Sequence, residues 1–180
     1  MSSPQITPDQ AKFILSFALP SLETEHSTTK KVIEAIPLDK GDYRPDAISK
    51  TALELAWHIV AAEKRFLRGI CTGAFDFSAI SRPESVRNSA EIVAWSDAMI
   101  AENLPAIQQL SGEQLARIID FRGVLQFPAV RYIQVCLNHT IHHRGQLSMY
   151  LRPMGAKVPS IYGESYDATQ ARLAKEGKAS

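Results

Sequence analysis

Cysteine is almost missing. The two present, Cys71 and Cys136, are too few for a disulfide framework and too widely spaced for a CxxC metal clip. A reducing, cytoplasmic setting is the expectation. Long apolar runs are missing as well. The stretches 13–19 and 55–62 are interrupted by Ser16 and His58 and fall far short of the ~18 residues a membrane helix needs. The first of them also lacks the basic leader and nearby small-residue cleavage site of a secretory signal. An excess of either charge is absent: 20 basic and 19 acidic side chains leave +1. That balance argues against a nucleic-acid partner, whose binding draws largely on neutralised phosphates. No repeat or low-complexity tract occurs.

What remains is ordinary globular material, 45% apolar and 22% charged over 180 residues, enough for one domain with its own core. Apolar positions recur at helical spacing through four long stretches. The first opens at Thr7-Pro8-Asp9-Gln10, where Thr7 caps the free amides, Pro8 takes the first helical position and Gln10 reaches back. Pro20 is expected to kink or divide it. Residues 37–45 read as a loop. A second helix spans about 49–72, with Gly73 as its stop, and a polar, irregular connection follows over 73–88. A third helix covers about 89–110, with Pro105 as a bend. Residues 117–127 read as short extended pieces around Gly123, after which Pro128 opens a fourth helix that Gly155 ends near Met154. The reading is an all-α, up-and-down four-helix bundle over 1–155, with a short extended insertion before the last helix. Over 156–180 a C-terminal tail packs partly on the bundle before a frayed, charged end.

Chemistry concentrates in the histidines. Three of the five, His139, His142 and His143, fall within five residues of the fourth helix. Positions i and i+4 differ by about 40° around a helix, so His139 and His143 project together, and two such imidazoles can chelate a divalent metal. Their stripe also holds Cys136, Leu147 and Tyr150. A third ligand must come from another helix. His58, set between Trp57 and Ile59, is the candidate, because a lone imidazole among apolar residues needs a partner. The plainer readings are a satisfied core histidine at 58 and an HxxxH pair that binds nothing. His142 can replace His143 in an i, i+3 pair with His139, or face outward at the rim. His26, in the polar run 23–31, reads as solvated. Glu63 either orients a ligand, pairs with Arg144 or is a solvated carboxylate. Arg144 and Gln146 read as structural, with hydrogen bonds that orient the metal histidines as the alternative, Cys136 as a buried inert thiol, Tyr150 as a pocket or core aromatic, and Trp57 and Trp95 as core.

The string His139-Thr-Ile-His142-His143-Arg144-Gly145-Gln146-Leu147, followed by Tyr150-Leu151-Arg152 and Gly155, resembles the signature helix of the DinB-like family. Similarity extends to Glu54-Leu55-Ala56-Trp57-His58 with Glu63, to the loop from Ile36-Pro37 to Tyr43-Arg44-Pro45, and to Val158-Pro159 with Tyr162-Gly163. The resemblance implies a four-helix bundle, often homodimeric, with a divalent metal on His58, His139 and His143. It also implies relatives that are metal-dependent S-transferases of low-molecular-weight thiols or mycothiol-dependent maleylpyruvate isomerases, beside stress-induced proteins of unassigned reaction. Three neutral ligands leave a position open for water or substrate. Zinc leads on availability, with nickel or iron(II) compatible. The expected partner is a small molecule; Tyr150 and His142 are the pocket candidates. The competing readings are a non-catalytic metal- or ligand-binding stress protein and a metal-dependent hydrolase.

Overall fold

The computed structural model describes residues 5–177. In chain order it comprises α1 (Pro8–Glu34), α2 (Ala52–Thr72), α3 (Ser89–Gln108), α4 (Gly112–Ala116), β1 (Ile118–Phe121), β2 (Leu125–Pro128), α5 (Arg131–Leu151) and α6 (Tyr166–Lys175). The four long helices form the bundle: α2 packs on α5 and α3, and α1 on α5, α3 and α4. Among the described residues no helix is long and apolar enough to cross a membrane.

Local chemistry sets most of the boundaries. Thr7, Thr51, Asn88 and Ser111 each cap a helix through a complete capping box, a device worth roughly 1 kcal/mol apiece. Gly73 takes the left-handed conformation (φ 81°) that ends α2, which any side chain would strain. The extended pieces around Gly123 are an antiparallel hairpin, with Ile119 opposite Phe127 and Phe121 opposite Leu125.

Three expectations need correction. Pro20 does not divide α1. It lies on the exposed face with Ser16, whose carbonyl it leaves without an amide donor but open to solvent. Pro128 does not open the last helix; it closes β2 opposite Ile118, where a residue without an N–H is tolerated at a sheet edge, and α5 begins three residues later. Residues 112–116, which the sequence left unassigned, form one further helical turn capped by Ser111. The tail is not frayed through 177: Ser165 caps α6, and Asp167 accepts from the Val158 amide and Arg152, tying the segment to the end of α5.

The core is cut in two. One apolar cluster gathers Leu15 to Leu22, Phe66 to Ile70, Met99 to Ile107 and Ile133 to Leu137; the other gathers Val32 to Ile36, Leu55 to Ala61, Ile92, Val93, Leu147 and Leu151. Each fully buried Leu or Ile contributes about 1.5–3 kcal/mol, so these clusters carry the fold. Between them every long helix contributes polar side chains: Glu25, His26 and Thr29 from α1, Glu63 from α2, Ser96 and Asp97 from α3, and Thr140 and Arg144 from α5. The histidines of interest sit at the edge of this polar belt.

Candidate metal centre

His58 comes from the middle of α2, and His139 and His143 from successive turns of α5, on the interface these two helices share. The three rings converge, one ligand nitrogen from each lying within 4.8 Å of the others. Nε2 of His58 and Nε2 of His143 are 3.2 Å apart. Two nitrogens bound at 2.0–2.1 Å to a tetrahedral zinc stand about 3.3 Å apart, so this pair is spaced as ligands are. His143 Nδ1–H donates to Oε1 of Gln146 at 2.7 Å, which fixes the ring and leaves its Nε2 lone pair facing His58. His139 Nδ1 is enclosed without any hydrogen-bond partner, a cost the protein alone does not offset.

The rings of His58 and His139 are held neutral. Burial, then the neighbouring His143, His58 and His142 and the charge of Arg65, push His139 down to about 4. Burial, then His143, Lys50 and Arg65, lower His58 in the same direction. Each therefore offers a lone pair at neutral pH, the form a metal requires. The donor set and its spacing suit a divalent ion.

The remaining candidates fall into place around the triad. His142 is exposed beside His143 rather than turned into the cluster. Tyr150 stacks edge-on against Tyr43 and lines a cavity of about 470 Å³ together with His143 and Gln146. A second cavity, about 560 Å³, is lined by His58, Trp57 and Arg65. The triad thus opens on two sides. Cys136 is fully buried, and its thiol is pushed well above its usual value, first by burial and then by Glu63, so it stays protonated and inert. Trp57 is buried, with its indole N–H donating to the Ile80 carbonyl, and Trp95 packs against it.

Two readings of charged residues are overturned. Glu63 is neither solvated nor paired with Arg144; it is 1% exposed and bonds His26, 3.3 Å away. His26 is accordingly not solvated: it lies between Glu63 and Asp97. Burial opposes its charge, but the hydrogen bonds and charges of Glu63 and then Asp97 outweigh that and raise its pKa. Arg144 is structural as expected, though through partners sequence did not name: the Glu25 carboxylate and carbonyl, Thr29 Oγ1 and the Tyr162 hydroxyl. The available signal was the run of charges in 23–31 opposite charged positions on α2, α3 and α5.

Known proteins resemble this chain over most of its length. The sequence model of the DinB family matches residues 15–177. Two Bacillus subtilis (strain 168) proteins are similar: uncharacterized protein YrdA, 30% identical over 153 residues (83% of this chain, 88% of YrdA), and uncharacterized protein YjoA, 28% identical over 135 residues (73% and 85%). Among solved structures, the DinB-like protein YjoA superposes with a TM-score of 0.67 at 25% identity, covering 80% of this chain and 96% of that one. A DinB-like protein from Bacillus cereus ATCC 10987 superposes at 0.68, with 24% identity and coverage of 81% and 95%, a likeness of fold.

Proposed function

The chain belongs to the DinB family, and from that premise we propose that it is a divalent-metal-dependent enzyme transferring a low-molecular-weight thiol to a small electrophile. The observation that carries this reading is the convergence of His58, His139 and His143 from two helices beside two open cavities. A divalent ion on these residues supplies Lewis acidity, enough to favour a thiolate at neutral pH. Zinc is the first choice on availability, with nickel and iron(II) compatible with three imidazoles.

The chain's own residues divide the remaining tasks. Gln146 holds His143 in one tautomer and orientation. Tyr150, backed edge-on by Tyr43, walls the cavity on the His143 side, and Trp57 walls the other. Among the described residues lining the two cavities, the one carboxylate is Glu54, and it is occupied accepting from the Thr51 amide at 2.8 Å. The nucleophile would therefore be activated by the ion rather than by a carboxylate base. A cytoplasmic homodimer induced by stress completes the reading.

Elemental analysis of untagged protein tests it first, with one ion per chain expected and none in His139→Ala. Turnover of a thiol with a panel of small electrophiles tests it second. Metal-replete wild type that turns over nothing assigns the chain to the non-catalytic, metal-binding alternative; absence of metal after supplementation with zinc and nickel refutes both.

A further inference from the structure

We infer that the cleft flanking the histidine triad receives an anionic small molecule, one bearing carboxylate or phosphoryl groups, with Arg44, Lys50 and Arg82 as its recognition residues. This names the substrate class of the proposed enzyme and rests on that reading for its catalytic meaning.

The first argument is segregation of charge. The chain as a whole is balanced at +1, yet the cavity on the His58 side is lined by four cations, Arg44, Lys50, Arg65 and Arg82, against the single carboxylate of Glu54. That carboxylate is held below its ordinary range first by the Thr51 amide and further by the charges of Arg44 and Lys50. It belongs to the capping box of α2 and offsets one of the four positive charges, which leaves the lining net positive.

The second argument is that three of these cations are uncommitted. Some cations of the bundle are spent on acidic partners, Lys30 on Asp97, Arg144 on Glu25, Arg152 on Asp167 and Arg172 on Glu164. Arg44, Lys50 and Arg82 form no hydrogen bond or ion pair with any described residue. Unpaired cations gathered around one concavity create a field that draws anions to it.

The third argument is preorganisation. Asp46 accepts from the amides of Ile48 and Ser49 and from the Ser49 hydroxyl, which shapes the turn leading to Lys50. The amides of Ala52 and Leu53 donate to the carbonyls of Tyr43 and Gly41, tying the Arg44 loop to the start of α2. On the opposite wall, Arg65 donates to the carbonyls of Asp76 and Ser78, and Trp57 to that of Ile80, fixing the loop that carries Arg82. Arg65 is therefore a brace, and the other three face the ligand. Ser49 and Lys50 line both cavities, so the cationic cleft on the His58 side adjoins the cavity on the His143 side. Trp57 and Ile80 give the same cavity an apolar wall for a carbon skeleton.

The test titrates succinate, its neutral diamide and inorganic phosphate into the full chain as purified, by calorimetry at low ionic strength. Wild type is compared with the triple variant Arg44→Gln, Lys50→Gln, Arg82→Gln, and metal content is measured in both. Because the triad is common to the two proteins, any carboxylate affinity for the metal cancels in the comparison. Succinate or phosphate should bind wild type at least about tenfold more tightly than the variant, and the diamide should not compete. A preference for succinate marks a carboxylate substrate, and one for phosphate a phosphorylated substrate. Equal affinity in the variant, or equal binding of the diamide, overturns the inference. The two readings fail separately: charge-dependent binding without metal refutes the metal-enzyme reading alone, and metal without charge-dependent binding refutes this one alone. The replaced side chains are exposed, so unchanged circular dichroism and melting confirm that the variant folds.

Discussion

Replacing Arg144 by Met asks what the buried charge of the polar belt is worth. The guanidinium is 1% exposed, and it donates to the Glu25 carboxylate and carbonyl, to Thr29 Oγ1 and to the Tyr162 hydroxyl. Methionine keeps much of the volume and removes every donor. The loss is dominated by the carboxylate left behind: Glu25 is 14% exposed and keeps one bond, from the Tyr162 hydroxyl at 3.0 Å. Removing one partner of a buried pair costs about 3–5 kcal/mol, and the residual bond and solvent contact put this case near the lower end, about 3 kcal/mol. For a chain of this size that lowers Tm by roughly 6–12 °C. Urea unfolding at pH 7, followed by circular dichroism, gives the number directly. The double variant Arg144→Met, Glu25→Leu removes the stranded charge and should recover most of the loss, because apolar pairs of similar volume commonly replace buried ion pairs without penalty. A loss below about 1 kcal/mol in the single variant, or a double variant no better than the single, would refute the claim that the pair is buried and mutually dependent.

Gln146→Leu removes the bond that fixes the His143 ring and should weaken metal binding about tenfold or more without changing the stoichiometry, read by competition with a chromogenic chelator. His139 sits at about 4 in the folded, metal-free chain against 6.5 unfolded, so the unfolded chain takes the proton first. The stability held above 6.5 is therefore lost as pH falls toward 4, by about 1–2 kcal/mol after allowing for solvent access to the cluster. Proton NMR of the ring checks this, and a His139 midpoint near 6.5 would refute it, whereas His26 should titrate above its ordinary value. Gly155→Ala meets no neighbouring atom but must hold φ near +79°, so it should cost about 1 kcal/mol in urea unfolding, from backbone strain alone.

The four long helices were legible from their apolar period, helped by local signals where these are strong, the capping residue Thr7 and a glycine stop at 73. The triad was legible for a similar reason. His139 and His143 are brought together by helix pitch alone, and His58 stands out against its apolar neighbours. Pro128 misled because its fixed φ suits a strand end as well as a first helical turn, and only the pairing with Ile118 decides between them. The partners of Glu63, His26, Glu25 and Arg144 were illegible for a deeper reason. Periodicity shows which face of a helix is apolar, but the level at which polar side chains from four separate helices meet is a property of their axial alignment. Nothing in the run 23–31 alone says that Glu25 and His26 turn inward while Glu23 stays in water.

That alignment has a consequence for the histidines. Charges enclosed between two greasy halves are satisfied only when the four rods stand at one height relative to each other. A slip of α5 by a single turn, about 5.4 Å, would drive the guanidinium of Arg144 into the hydrocarbon of either half and strand Glu25. The same slip would carry His139 and His143 past His58. The belt works as a vernier: by forbidding every register but one, it keeps imidazoles from two different helices at matching heights before any ion arrives to join them.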